Sequence, residues 1–266
     1  MPKTITVPGA RLTYDVTGSG PVLFLVGTPM DASGFAPLVP HLTDDFTVVT
    51  FDPRGMARST ADDPGKQVTP EETADDLAAV LAEVTDEPAY VLGSSGGAIG
   101  GLALVLRHPD RVRTLVAHEP PLSLLLPDAA EIRAATHGIV DTLHAAGWQP
   151  AMGQFLDLTG VLTSMSANDQ PPPEPTEDMA RGTAFFIENY LRTVSLWEPD
   201  LDALRAAAPR IVVAAGRTST GQLANRTAVA LAEALGTELA LFAGDHGGFA
   251  GEPETFAAEL RAALAS

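Results

Sequence analysis

Residues 89–98 read Ala89-Tyr90-Val91-Leu92-Gly93-Ser94-Ser95-Gly96-Gly97-Ala98, an apolar strand pattern that runs into a glycine-rich turn. An apolar helical pattern over Ala98–Arg107 follows the turn directly. Ser95 lies two residues from each of two glycines, Gly93 and Gly97. A serine in so sharp a strand-to-helix turn takes a strained backbone conformation, which requires small neighbours. The stretch therefore predicts that Ser95 is a nucleophile at the amino end of a helix, where the helix dipole favours negative charge.

The same turn is open to two other interpretations. Ser94 is a competing nucleophile, and a serine in a glycine-rich turn also caps a helix without doing any chemistry. Ser95 is favoured over Ser94 because only Ser95 has a glycine two residues away on both sides. The position of the turn between a strand and a helix favours the catalytic interpretation over the structural one.

Buried strand patterns alternate with helical patterns on both sides of the turn. This alternation is typical of a mostly parallel sheet with helices on both faces. The strands predicted around the turn are Val22–Val26, Thr47–Phe51, Tyr90–Leu92, Val112–Ala117, Ile211–Ala215 and Glu238–Phe242. With two further strands near the amino terminus, the sequence predicts an α/β fold with an eight-stranded sheet. A short helix is expected near Phe35–Leu42.

The strand pattern stops between Pro120 and Pro199. Helical stretches, Asp128–Ala146 and Met179–Val194, take over there, on either side of a proline run at 170–175 that we interpret as a turn. We therefore predict a core formed by residues 1–121 and 200–266, with an inserted helical cap at 122–199.

The loop after the strand Val22–Val26 is a candidate oxyanion hole. Its residues, Val26-Gly27-Thr28-Pro29-Met30, resemble the His-Gly-x-Pro loop of many α/β-hydrolases, with Val26 in place of the histidine. The resemblance implies the α/β-hydrolase fold and assigns one oxyanion donor to the backbone N–H of Thr28. The second donor would be the N–H of Gly96, the residue after the nucleophile. The alternative is an ordinary strand-to-helix connection.

A serine hydroxyl needs an adjacent base before it attacks at neutral pH. Among six histidines, His246 stands in Gly244-Asp245-His246-Gly247-Gly248-Phe249, after the last predicted strand and before the terminal helix. This is where the fold presents its base, so we predict that His246 accepts the proton from Ser95. The candidates that lie in helical or cap contexts are His41, His108, His137 and His144.

The acid that orients the histidine is missing from its usual place. In most α/β-hydrolases it follows the strand equivalent to Ile211–Ala215 in a Gly-x-x-Asp pattern, whereas this chain has Gly216-Arg217-Thr218-Ser219. A carboxylate does follow the preceding sheet strand, in His118-Glu119-Pro120-Pro121, so we predict that Glu119 is the acid. The alternatives are a degenerate triad and Asp245, which is disfavoured because a residue adjacent to His246 points elsewhere in an extended backbone.

The placement of Glu119 resembles that of the zearalenone lactonases, whose acid is a glutamate after the same strand within His-Glu-x-Pro. The segments 51–59 and 107–112 are also similar, although they mark the wider fold. The resemblance covers residues 1–121 and 205–266 and is absent from the cap. It implies a catalytic triad of Ser95, His246 and Glu119, and it does not extend to activity on that toxin.

Charge and composition limit the classes of molecule that the protein could bind. The formal net charge is −18, so nucleic acid and anionic membrane surfaces would be repelled. The chain has no cysteine, which excludes a thiolate nucleophile and a cysteine-bound metal site. No stretch has the length of a signal peptide or of a membrane span, which favours a cytoplasmic location. The sequence leaves a homodimer open.

Together these features predict a serine hydrolase that cleaves a carboxylic ester or lactone of a hydrophobic small molecule, without a metal or organic cofactor. The residues expected to line its pocket are Met30, Phe155, Leu156, Phe185, Phe186 and Trp197, although packing within the cap would also explain them. The alternatives on this fold are a lyase, a perhydrolase, a cofactor-free oxygenase and a ligand-binding protein without catalysis.

Overall fold

The computed structural model describes residues 2–160 and 176–265. The strands are β1 (Lys3–Val7), β2 (Ala10–Gly18), β3 (Val22–Thr28), β4 (Thr47–Phe51), β5 (Thr60–Ala61), β6 (Ala89–Ser95), β7 (Val112–His118), β8 (Arg210–Gly216) and β9 (Ala240–Phe242). The helices are α1 (Pro70–Val84), α2 (Gly96–Arg107), α3 (Ala129–Ala146), α4 (Trp148–Thr159), α5 (Glu177–Asn189), α6 (Leu191–Ser195), α7 (Leu201–Ala206), α8 (Leu223–Leu235), α9 (Gly248–Gly251) and α10 (Pro253–Ala265).

These strands form one mostly parallel sheet. Its order is β1-β2-β4-β3-β6-β7-β8-β9, with β1 and β2 antiparallel to their neighbours and the other strands of this path parallel. The eight strands of this path match the predicted number, and the short β5 pairs with β2 as a ninth. The carboxyl ends of β3, β6, β7 and β8 therefore lie side by side, which is where an open α/β sheet binds its ligands.

Both faces of the sheet are covered. Alternate residues of β3 show this, because Phe24 and Val26 belong to the core formed with α1 and α2, whereas Leu23 and Leu25 belong to the core formed with α10. All four side chains are fully buried. A strand buried on both faces has no polar positions to alternate with, which explains its continuous apolar sequence.

The short helix expected near Phe35–Leu42 is not a single α-helix in the structure. Two short 3-10 turns, Ala32–Phe35 and Val39–His41, take its place. Pro37 and Pro40 lack the backbone N–H that an α-helix needs, so the stretch cannot form consecutive helical hydrogen bonds.

The expected helical stretch 179–194 is divided in two at Tyr190, and the proline run at 170–175 lies outside the described residues.

Helices α3 to α6 lie in the described part of the segment predicted as a cap, residues 122–199, which follows β7 and precedes α7. The end of this segment is tied to the residues after β4 by hydrogen bonds from Tyr190 Oη to the Arg54 carbonyl (3.0 Å), Asn189 Nδ2 to the Pro64 carbonyl (3.0 Å) and Trp197 Nε1 to Glu71 Oε1 (2.9 Å). The division into core and cap stays a prediction. No helix in the described part of the chain has the length and apolarity needed to cross a membrane.

A buried ion pair lies beneath this junction. Arg54 binds both carboxylate oxygens of Asp76 on α1, at 3.0 and 2.6 Å, and both residues are almost wholly buried. Burial raises the pKa of Asp76 to about 6, although the adjacent guanidinium lowers it. Arg54 also donates to the Pro8 carbonyl at 2.9 Å, so one side chain joins the first hairpin, the loop after β4 and α1.

We expect Arg54→Met to lower the free energy of unfolding by about 3–5 kcal/mol near pH 8, because it leaves the buried Asp76 carboxylate without a partner. The pKa of Asp76 is already raised in the folded protein, so its ionisation costs stability as the pH rises. Without Arg54 that pKa rises further, and the destabilisation should be smaller at pH 5, where the carboxyl is protonated. Urea unfolding followed by circular dichroism at both pH values measures the difference.

Arg107→Met is the matched control. Arg107 also forms a bidentate pair with an aspartate, Asp75, but both side chains are more than two-fifths exposed. Its loss should cost no more than about 1 kcal/mol and should vary little with pH. Equal effects of the two substitutions would contradict the interpretation of Arg54 as a buried structural charge.

Candidate active site

The turn between β6 and α2 has strained backbone geometry. Ser95 ends β6 with φ 56° and ψ −127°, a region that residues other than glycine rarely occupy. The surrounding glycines make this possible, because a Cβ on Gly97 would lie 2.1 Å from the Val26 carbonyl oxygen. A Cβ on Gly93 would lie 2.7 Å from Ala98 Cα. The glycines therefore allow β3, β6 and α2 to meet closely around Ser95.

The predicted oxyanion residues flank this serine. Thr28 is the register partner of Ser95 at the end of the β3–β6 pair. Gly96, the first residue of α2, lies so close to Thr28 that a Cβ at position 96 would be 2.9 Å from its carbonyl oxygen. The hydroxyl of Thr28 donates to the Gly27 carbonyl at 2.6 Å. The structure thus places both residues predicted to supply backbone donors beside Ser95, and their role in catalysis stays a prediction.

Glu119 and His246 are brought together from positions far apart in the sequence. Glu119 Oε2 lies 2.6 Å from His246 Nδ1. The glutamate follows β7 with a φ of 51° and is fully buried, whereas the histidine side chain is 16% exposed. In the part of the chain that the structure describes, no hydrogen bond joins the side chains of Ser95 and His246. Such contacts commonly tighten only when substrate binds.

The other carboxylate oxygen of Glu119 is held by β8 and the loop after it. Oε1 accepts a hydrogen bond from the backbone N–H of Gly216 at 3.0 Å and another from the hydroxyl of Ser219. Burial raises the pKa of Glu119, but the hydrogen bond from His246, the nearby His118 and His246 rings and the hydrogen bond from Ser219 outweigh it. The pKa of the carboxyl lies below its ordinary value as a result. Glu119 is therefore ionised at neutral pH.

A second histidine, His118, lies next to the pair. Its ring stacks on that of His246 at a centroid distance of 6.2 Å and is surrounded by Phe242, Phe249 and Phe256. Complete burial lowers the pKa of His118 to about 4, so the ring is neutral at neutral pH. His118 Nδ1 lies 3.3 Å from the hydroxyl of Ser94, whose side chain is buried.

The alternative site residues have other contacts. Asp245 Oδ1 accepts a hydrogen bond from the N–H of Gly247 at 2.8 Å. His108 and His144 form pairs with Asp75 and Glu188 at partly exposed positions, 2.7 and 2.5 Å apart. Ser94 is turned towards His118. None of these contacts joins an alternative residue to the Glu119–His246 pair.

The residues expected to line a pocket lie in two places. Met30 packs on Gly27, where its Cε would be 2.7 Å from an added Cβ. The others belong to the helical segment: Phe155 and Phe186 pack edge to face at 5.3 Å, Phe185 lies over Gly55, Leu156 is partly buried, and Trp197 donates to Glu71. Their role as pocket walls stays a prediction.

The sequence assigns no role in the site to Val194 or Ser219. Val194 of α6 lies directly above the nucleophile turn, with its Cγ1 3.2 Å from the position of a Cβ on Gly96. Nothing in the apolar pattern of the helical segment distinguishes it from its neighbours. Ser219 did carry a signal, because it stands at the fourth position of the Gly-x-x-Asp pattern, where the acid was missing.

Comparisons with known proteins agree with this architecture. The family model described as alpha/beta hydrolase fold matches residues 20–159. The uncharacterized hydrolase YraK of Bacillus subtilis (strain 168) is 33% identical over 251 residues, covering 92% of this chain and 89% of that protein. Zearalenone hydrolase of Bionectria ochroleuca is 35% identical over 128 residues, covering 46% of this chain and 48% of that protein.

A solved structure extends the likeness to the whole chain. The thermophilic esterase from Thermogutta terrifontis superposes with a TM-score of 0.78 at 18% identity, covering 100% of this chain and 98% of that one. At this identity the superposition is evidence of the fold alone. The family model covers over half of the chain, and the similarity to YraK runs along nearly all of it. This chain belongs to the alpha/beta hydrolase fold family and is a hydrolase.

Proposed function

We propose that this protein hydrolyses a carboxylic ester or lactone of a hydrophobic small molecule through a Ser95–His246–Glu119 triad. The observation that carries the proposal is the 2.6 Å contact between His246 Nδ1 and the buried, ionised Glu119, at the sheet edge where Ser95 occupies its strained turn. An acid that binds Nδ1 fixes the imidazole tautomer whose Nε2 accepts a proton.

In the first half of the reaction, Ser95 Oγ attacks the carbonyl carbon while its proton passes to His246 Nε2. The carbonyl oxygen becomes negative and is stabilised by the backbone N–H groups of Thr28 and Gly96, close to the amino end of α2. Glu119 stabilises the imidazolium that forms. When the tetrahedral intermediate collapses, the proton on Nε2 passes to the leaving alkoxide, which departs as an alcohol.

In the second half, His246 takes a proton from the water that attacks the acyl carbon. It passes this proton to Ser95 Oγ as the acyl–serine bond breaks, so the carboxylic acid is released and Ser95 is restored. With a lactone, the alcohol stays attached to the acyl group, so a single hydroxy acid leaves at this step. Neither half requires an external oxidant or reductant.

Two observations support the substrate class. The matched relative from Bionectria ochroleuca is named a zearalenone hydrolase. In this chain the side chain that covers the nucleophile turn is apolar, since Val194 lies over Gly96. An apolar covering over the reacting carbonyl favours a substrate that loses little hydration on binding.

Covalent labelling tests the proposal. A fluorophosphonate probe should react stoichiometrically with the protein, and mass spectrometry of the digested protein should find the label on Ser95. A series of p-nitrophenyl esters of increasing acyl length should be hydrolysed at rates that the same probe abolishes. Absence of both labelling and ester turnover in correctly folded protein would contradict the proposed function.

A further inference from the structure

Ser219 occupies a special place relative to the triad. It is the fourth residue of the loop that begins at Gly216, so it stands where most members of the family carry the acid. Its side chain is fully buried, and its hydroxyl lies within hydrogen-bonding distance of Glu119 Oε1 although 100 residues separate the two in the chain. The loop after β8 thus still reaches the acid position, but with a hydroxyl group.

We propose that Ser219 is a positioning residue for the Ser95–His246–Glu119 triad: with the backbone N–H of Gly216, its hydroxyl holds one oxygen of Glu119 so that the other faces His246. This inference rests on the proposed function. Ser219 would then be a hydrogen-bonding partner of the acid, which lies after β7 in this chain. The loop after β8, although it lacks a carboxylate, would still serve the triad.

The two carboxylate oxygens of Glu119 have different hydrogen-bond partners. Oε1 accepts from Gly216 N–H and from Ser219, whereas Oε2 accepts from His246 Nδ1. Ser219 Oγ also lies 2.9 Å from the Gly216 carbonyl oxygen, but its single proton serves one acceptor at a time. A charged acceptor forms the stronger bond, so the proton is directed to the carboxylate.

The loop that carries Ser219 is itself fixed to the loop of the base. Thr218 N donates to the Gly244 carbonyl at 3.0 Å. Gly216 packs so closely on Asp245 that an added Cβ would lie 2.6 Å from the Asp245 carbonyl carbon. Glu119 is therefore held by a loop that is itself fixed to the residues before His246. A glutamate has one more rotatable bond than an aspartate, and these contacts remove that extra freedom.

We expect Ser219→Ala to lower kcat by about 10- to 100-fold, the usual effect of removing a hydrogen bond to a charged group. The loss should grow as the pH falls. Without the hydroxyl the pKa of Glu119 rises, so the carboxylate, whose contribution requires the ionised form, is protonated at a higher pH. The other ionisable groups near it are His118, His246 and Asp245, and none of them is altered by the substitution.

A proton NMR measurement tests the same inference without activity. The proton shared by His246 Nδ1 and Glu119 should give a downfield resonance, assigned by its loss in His246→Gln. In Ser219→Ala that resonance should move upfield and exchange faster with water, whereas Ser219→Thr, which keeps the hydroxyl, should restore it. Ser123→Ala is the control, because it removes another buried serine hydroxyl, one that donates to the Pro121 carbonyl, and should change neither readout.

The outcomes separate the two proposals. A folded Ser219→Ala protein with an unchanged resonance and an unchanged pH profile overturns the positioning role, whatever its melting temperature. If Ser219→Ala does not fold, Ser219→Cys fills the same space with a weak donor, and the same two readouts apply to it. If wild-type protein neither turns over esters nor reacts with fluorophosphonate, the proposed function fails, while the NMR comparison still decides the role of Ser219.

Discussion

Ser95→Ala is expected to lower kcat for p-nitrophenyl ester hydrolysis by about 10⁵- to 10⁶-fold. The substitution removes the only atom that forms the acyl-enzyme, and the binding and oxyanion groups that remain provide about 10³- to 10⁴-fold over water. The fold should survive, because alanine carries the same Cβ as serine and meets the same strain at φ 56°. Steady-state kinetics, with protein purified on unused columns to exclude traces of wild type, measure the loss.

Ser94→Ala is the matched control for this prediction. Ser94 is the neighbouring serine of the same turn, but its hydroxyl faces His118 and its side chain is buried. We expect this variant to keep fluorophosphonate labelling and to lose no more than about 10-fold in kcat, the scale of one neutral hydrogen bond. Loss of labelling in Ser94→Ala together with retention in Ser95→Ala would transfer the nucleophile to Ser94.

The sheet was predictable because its signals are local. Continuous apolar runs such as β3, bounded by glycine and proline, have few conformations that bury them on both sides. The turn at Gly93–Gly97 was predictable because its glycine spacing follows from steric contacts with Val26 and Ala98 that any such turn makes. The stretch 35–42 forms 3-10 turns where a single short helix was expected, because Pro37 and Pro40 interrupt the backbone hydrogen bonds of an α-helix.

The surroundings of the site were harder to predict because they depend on strand order. The proximity of Glu119 to His246 could be inferred once β7 was taken as a neighbour of β8, since adjacent parallel strands end at the same edge. The contact of Ser219 with Glu119 requires that neighbour relation and also the path of the loop after β8, which no periodicity encodes. Val194 reaches Gly96 through the packing of a helical segment whose sequence is compatible with several arrangements.

Glu119→Gln is expected to lower kcat by about 10³- to 10⁴-fold without unfolding the protein, because it leaves His246 in the wrong tautomer. Two donors, Gly216 N–H and the Ser219 hydroxyl, face the Oε1 position, and the backbone N–H cannot reverse its role. The glutamine carbonyl therefore turns to Gly216, and its NH₂ group faces His246 Nδ1. The imidazole must then accept at Nδ1 and carry its proton on Nε2, where it cannot receive the proton of Ser95.

Several measurements check this tautomer argument. ¹⁵N NMR of labelled histidine distinguishes the two neutral tautomers, and it should report a protonated Nε2 in Glu119→Gln against a protonated Nδ1 in wild type. Asp245→Asn is the control, because Asp245 Oδ1 accepts from Gly247 and the amide oxygen of asparagine preserves that bond. It should retain kcat within about 10-fold. Full activity in Glu119→Gln combined with a large loss in Asp245→Asn would assign the acid to Asp245 and remove the basis for Glu119 as the third member of the triad.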